Sequence, residues 1–159
     1  MTAVRQRLDQ ARLYLVCDEC PDQFLEAALR GGVDIVQLRM KEAPDRAVLS
    51  AAARYKRLCD AHGALFIIND RPDLAVRCGA DGVHLGQDDV PIEQARNAVG
   101  EDRLIGLSTH TAAQLDGARD VDYIGVGPVY STPTKPGREA VGVELVEYAA
   151  RRAQVPLGR

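Results

Sequence analysis

Short, continuous runs of apolar residues recur along the chain at positions 13–17, 34–38, 65–68, 82–85, 104–107 and 123–126. Runs of this length that do not alternate with polar residues mark strands buried on both faces, as in a parallel sheet covered by helices. Between them lie segments whose apolar residues fall three and four apart, over 23–30, 45–62, 72–78, 92–99, 112–118 and 143–152, the spacing that gives a helix one apolar stripe. Pro21 and Pro91 stand where helices should begin, and Gly31, Gly32, Gly63, Gly79 and Gly100 where they should end. The predicted unit is one strand followed by one helix, six times over, which makes this an α/β protein.

Composition narrows the picture. A chain of 159 residues, 46% hydrophobic and 27% charged, has the balance of one soluble domain with a substantial core. The net charge of -3 and the lack of a long basic run remove the electrostatic footprint that nucleic acid requires, so nucleic acid is not an expected partner. Residues 1–13 are too polar for a secretory signal, and no apolar stretch approaches the roughly 18 residues of a membrane span. The expected location is the cytoplasm. Cys17, Cys20, Cys59 and Cys78 are scattered, which suits reduced thiols. The Cys17-x-x-Cys20 spacing lacks the second pair or nearby histidines of a zinc site and the thioredoxin-like setting of a redox motif.

Six strand–helix units suit either an open doubly wound sheet or an incomplete (β/α) barrel, and the polar residues at the strand ends separate the two. A doubly wound nucleotide binder gathers its signals at one switch point, whereas a barrel spreads them over many strand ends. Gln37, Arg39 and Lys41 alternate at the end of the second strand and would point the same way; a salt-bridged strand end is the plain alternative. Asn69 and Asp70 follow the third strand, where Asp70 could simply cap the next helix. His84, Gly86, Asp88 and Asp89 end the fourth, again with a cap as the plain alternative and His84 as a satisfied core histidine. Ser108, Thr109 and His110 end the fifth without a nucleophile elbow.

The sixth strand leaves through a loop from Gly125 to Gly137 that holds Thr132, Thr134 and Lys135. Tyr130 stands where a dinucleotide fingerprint needs its third glycine, and no Walker motif occurs. Polar residues at the ends of the second through sixth strands favour the barrel. Asp70 and Asp89 with Arg39, Lys41 and Lys135 are the parts needed to hold magnesium on a diphosphate: hard oxygen ligands for the metal and fixed positive charge for the remaining oxygens.

At this point the sequence resembles the thiamine-phosphate synthase family. The likeness rests on Gly-Gly-Val-Asp-Ile-Val-Gln-Leu-Arg at 31–39, Asn-Asp-Arg at 69–71, His-Leu-Gly-Gln-Asp-Asp at 84–89, Ser-Thr-His at 108–110 and Gly-Pro-Val-Tyr-Ser-Thr-Pro-Thr-Lys at 127–135. It implies a TIM (β/α)8-type barrel fold, with about six units present and the last two absent from a single domain over 1–159. It implies an enzyme that joins a pyrimidine diphosphate to a thiazole phosphate, with Mg2+ on Asp70 and Asp89. Gln37, Arg39, Lys41, Asn69, Ser108 and Lys135 would hold the pyrimidine diphosphate, Arg39, Lys41 and Lys135 acting in catalysis, while Thr132 and Thr134 would meet the thiazole phosphate. A thiazole tautomerase of the same fold and a non-catalytic phosphate-binding fragment are the alternatives.

Two departures from the family pattern stand out. Met40 sits where the family usually carries an acidic residue, and only Val155 to Arg159 follow the sixth helix. The first and sixth strands are therefore expected to be open edges, which invite pairing with a second copy as a homo-oligomer.

Overall fold

The computed structural model describes residues 2–130 and 140–158. In chain order the elements are α1 (Ala3–Gln10), β1 (Tyr14–Cys17), α2 (Asp22–Arg30), β2 (Ile35–Leu38), α3 (Asp45–His62), β3 (Leu65–Asn69) and α4 (Pro72–Arg77), then β4 (Gly82–Leu85), α5 (Ile92–Val99), β5 (Leu104–Thr109), α6 (Ala112–Gly117), β6 (Tyr123–Val126), α7 (Gly142–Arg152) and β7 (Leu157–Gly158). The strands form one parallel sheet in the order β1-β2-β3-β4-β5-β6-β7. No strand is skipped, so there is no point at which the order reverses. That excludes the doubly wound alternative, whose ligand crevice depends on such a reversal.

The sheet curls. In a flat sheet five steps of about 4.8 Å would hold β1 and β6 roughly 24 Å apart, yet the hydroxyls of Tyr14 on β1 and Tyr123 on β6 are 2.8 Å from each other. One face of the curled sheet meets the helices through a large apolar cluster that includes Val36, Phe66, Ile68, Val83 and Ile105. The alternate residues Ile35, Leu65, Ile67 and Leu104 pack inside the curl with Tyr123, as the two-residue period of a strand requires. Gly106 permits this: a Cβ there would come within 2.1 Å of the Tyr123 ring.

Two elements go beyond the sequence expectations. The first is α1, whose buried Leu8 packs against the interior cluster. Its arginines anchor it, Arg5 Nε donating to Asp122 at 2.7 Å and Arg7 Nη2 to Asp81 at 3.2 Å. The second is β7, which pairs with β6 through Ile124–Leu157 and Gly125–Gly158. The sixth strand is therefore not the open edge expected. β1 has no second neighbour among the described strands, and Val16 on it is half exposed.

Asp34, Asp81 and Asp122 each precede an even-numbered strand and accept backbone N–H groups from within, or just before, the preceding odd-numbered strand. Asp34 takes those of Arg12 and Leu13, Asp81 that of Phe66 and Asp122 that of Ile105, all at 2.8–2.9 Å. These carboxylates tie down otherwise unpaired amides at the N-terminal end of the sheet, leaving the opposite end to the polar residues considered next.

Candidate active site

A cavity of about 780 Å³ opens at the carboxyl ends of the strands. Its wall includes Gln37, Arg39, Lys41, Asn69, Asp70, Asp89 and Ser108, so the fold brings together every expected site residue that lies in the described regions. Thr132, Thr134 and Lys135 fall outside the described residues.

The floor is a hydrogen-bonded chain built from inward positions of β1, β2, β4, β5 and β6. Gln37 Nε2 donates to Tyr14 Oη at 2.8 Å, and Tyr14 Oη meets Tyr123 Oη at 2.8 Å. Tyr123 Oη meets His84 Nδ1 at 3.1 Å, and His84 Nε2 meets Ser108 Oγ at 2.9 Å. Burial pushes the Tyr14 hydroxyl up to about 12 against the opposing hydrogen bonds of Tyr123 and Gln37, and burial holds Tyr123 well above its ordinary value. Both phenols therefore keep their protons.

His84 thus joins Tyr123 through Nδ1 and Ser108 through Nε2, so both ring nitrogens are engaged in the chain. His84 is satisfied, as the sequence suggested, but it sits half-buried in the cavity wall rather than in the core.

The rim carries the charge. Arg39 and Lys41 border the cavity, and Lys41 Nζ lies 3.5 Å from Asp70 Oδ2. Asp70 does not cap α4, whose N-cap is Arg71 with no side-chain cap bond. Instead its backbone adopts φ 61°, a left-handed conformation that costs a non-glycine residue energy and gathers at functional sites. Asp89 likewise leaves α5 uncapped, its Oδ2 accepting Gly86 N–H at 2.6 Å. Both capping alternatives fail.

Asp70 and Asp89 face one another. Burial, then the Asp89 carboxylate, holds the Asp70 carboxyl above its ordinary value, while Lys41 and Asn69 pull the other way. Two half-buried carboxylates brought together at such a cost are the hard-oxygen donor set that a divalent cation neutralises. Among the described residues no group of three or more His, Cys, Asp or Glu gathers for a metal. The donor set fits Mg2+, which is commonly held by one or two carboxylates with water and substrate phosphate completing the shell.

Tyr14, His84, Gln87, His110 and Tyr123 also line the cavity and were not among the expected site residues. Their signal is positional: Tyr14, His84 and Tyr123 share the inward face of the sheet with Gln37, Tyr14 level with Ile35 and His84 level with Gly106 and Tyr123. Gln87 Nε2 donates to the Ser108 carbonyl at 2.7 Å, and His110 Nδ1 to the Gly127 carbonyl, so each ties adjoining loops together. Thr109, next to Ser108, is buried and donates to the Gly125 carbonyl at 3.2 Å. No described helix is long and apolar enough to cross a membrane.

The sequence profile of the family described as thiamine monophosphate synthase matches residues 13–158. A thiamine-phosphate synthase of Gloeobacter violaceus is 52% identical over 160 residues, covering 96% of this chain and 46% of that protein. One of Thermobifida fusca is 49% identical, covering 96% of this chain and 74% of the other. A solved thiamine phosphate pyrophosphorylase from Pyrococcus furiosus superposes with a TM-score of 0.84 at 29% identity, covering 97% of this chain and 75% of that one. The chain spans about half the length of several of the curated relatives it matches.

Proposed function

The chain belongs to the thiamine monophosphate synthase family, and on that footing we propose that its cavity joins 4-amino-2-methyl-5-(diphosphomethyl)pyrimidine to a thiazole ethyl phosphate, releasing diphosphate. The observation that carries this reading is the placement of Arg39 and Lys41 beside the facing carboxylates of Asp70 and Asp89, above a hydrogen-bonded floor. That is a charged rim for a diphosphate over a polar bed for an uncharged ring.

The thiazole nitrogen attacks the pyrimidine methylene as diphosphate departs, and bond breaking runs ahead of bond making. A leaving diphosphate gathers negative charge, so cations fixed in advance stabilise the transition state more than the ground state. Arg39 and Lys41 supply that charge, joined in the proposal by Lys135. Asp70 and Asp89 would hold Mg2+, which when bound offsets charge on the diphosphate oxygens. Gln37, Asn69 and Ser108 orient the aminopyrimidine, whose electron-rich ring bears the transient positive charge. Thr132 and Thr134 are assigned to the thiazole phosphate. The nucleophile already has a lone pair, so positioning and electrostatics suffice without a general base.

A tautomerase of the same fold would have no diphosphate to neutralise and little use for two facing carboxylates with two neighbouring cations. The wider assignment, a (β/α)8-type barrel domain, is supported by the Pyrococcus furiosus likeness. Calorimetric titration of the pyrimidine diphosphate with and without Mg2+, followed by an assay for thiamine phosphate, tests the proposal. Magnesium-dependent binding with product formation is the expected result; absence of magnesium-dependent binding overturns it.

A further inference from the structure

The Cys17-x-x-Cys20 spacing has no part in the chemistry above, yet the fold supplies the convergence that the sequence alone does not. Cys17 ends β1 and borders the cavity; Cys20 stands just before Pro21, the N-cap of α2. Both sulfurs meet one hydroxyl, Cys17 Sγ at 3.6 Å and Cys20 Sγ at 2.9 Å from Tyr55 Oη. The two sulfurs can be no farther apart than those distances together.

Tyr55 is completely buried on α3. Its O–H donates to the Asp18 carbonyl at 2.8 Å, and its oxygen accepts the Cys20 N–H at 3.1 Å. Arg54 Nη2 adds a bond to the Cys20 carbonyl at 2.8 Å. None of these three bonds uses sulfur, so reaction of the thiols removes none of them. Cys17, Cys20 and Cys78 are partly exposed and Cys59 is fully buried, but Cys78 has its sulfur bonded to the Ala75 carbonyl rather than set against a second thiol.

We propose that Cys17 and Cys20 are a reversible dithiol–disulfide site on the cavity wall, oxidised by a small-molecule disulfide of the glutathione type. One cysteine thiolate attacks a sulfur of the oxidant, forming a mixed disulfide and expelling one thiolate. The second cysteine gives its proton to solvent and attacks the protein sulfur, forming the Cys17–Cys20 bond and expelling the other thiolate. Two protein thiols lose two electrons, and the oxidant is reduced to two thiols. Burial holds the Cys17 thiol above its ordinary value, with the Tyr55 hydrogen bond pulling the other way, so exchange quickens as pH rises.

The experiment equilibrates the whole chain in graded ratios of oxidised to reduced glutathione at mildly alkaline pH, quenches with acid, alkylates under denaturing conditions and maps the cysteines by mass spectrometry. The peptide carrying Cys17 and Cys20 should lose two hydrogens and resist alkylation, reversibly with added dithiol, while Cys59 and Cys78 remain alkylated. Cys20→Ser should instead stop at a mixed disulfide on Cys17. No ligand enters the measurement, so the outcome is independent of what the cavity binds. Alkylation of all four cysteines at the most oxidising ratio, or mixed disulfides without an internal bond in the unsubstituted chain, would overturn the proposal.

Discussion

The hydroxyl of Tyr14, on the first strand, lies 2.8 Å from that of Tyr123, on the sixth. The two residues are 109 positions apart in sequence, and their meeting both proves the curl of the sheet and completes the floor of the cavity. Tyr123 links the Gln37–Tyr14 bond to His84 and, through it, to Ser108. Replacing Tyr123 with Phe keeps the packing but cuts this chain. The expected loss is about 1 kcal/mol of binding free energy for the pyrimidine diphosphate, roughly fivefold in affinity. Nitrogen NMR of His84 should show a different tautomer population in the variant from that in the unsubstituted chain, because Nδ1 loses its Tyr123 partner.

Asp89→Asn keeps an oxygen that can accept the Gly86 N–H while removing one charge from the facing pair. Magnesium-dependent binding of the pyrimidine diphosphate should weaken by roughly tenfold or more, with binding in the absence of magnesium little changed. Calorimetry at matched ionic strength checks this, and equal affinities for both proteins in magnesium would remove Asp89 from the metal site.

Asp70 offers a test of opposite sign for stability and function. Because burial and the Asp89 carboxylate raise its folded-state value, the folded chain holds this proton more tightly than the unfolded chain. The ionised carboxylate therefore destabilises the metal-free fold at neutral pH, and that penalty disappears as pH falls through the raised value. Asp70→Asn, whose side chain tolerates the left-handed backbone, should raise the melting temperature of the metal-free protein at neutral pH and abolish the stabilisation given by magnesium with diphosphate. Thermal scans with and without those ligands read both effects.

At the other end of the sheet, Asp122 accepts from Ile105 N–H and binds Arg5 and Arg96, each at 2.7 Å, with its side chain 8% exposed. Asp122→Ala leaves two cations and an amide without their partner. A loss of about 3 kcal/mol is expected, which for a chain of this size lowers the melting temperature by roughly 6–12 °C. Chemical denaturation should register this loss.

How far the sequence was readable follows from the range of each interaction. The helix over residues 45–62 and the strands over 82–85 and 123–126 coincide with α3, β4 and β6 because local apolar spacing and a closing glycine determine them. Helix α1 escaped notice because it buries only Leu8 and is held by ion pairs to Asp81 and Asp122, which no local pattern reveals. Strand β7 is two residues long, too short for any periodicity. Arg39, Lys41, Asp70 and Asp89 were legible because charge at the end of an apolar run is conspicuous. Tyr14 and Tyr123 were not, since each reads as an ordinary strand residue until closure of the sheet sets one against the other.

The strict chain order of the strands also bears on how the molecule is made. Each strand after the first can dock on one already in place, with Asp34, Asp81 and Asp122 fastening successive pairs, so most of the sheet can assemble from contacts close in sequence while the chain is still emerging from the ribosome. The Tyr14–Tyr123 and Arg5–Asp122 contacts span more than 100 residues and must wait for the sixth strand. The floor of the cavity is thus a late product of synthesis, and a nascent chain arrested before Tyr123 would carry the charged rim of Arg39, Lys41, Asp70 and Asp89 without the hydrogen-bonded chain beneath it.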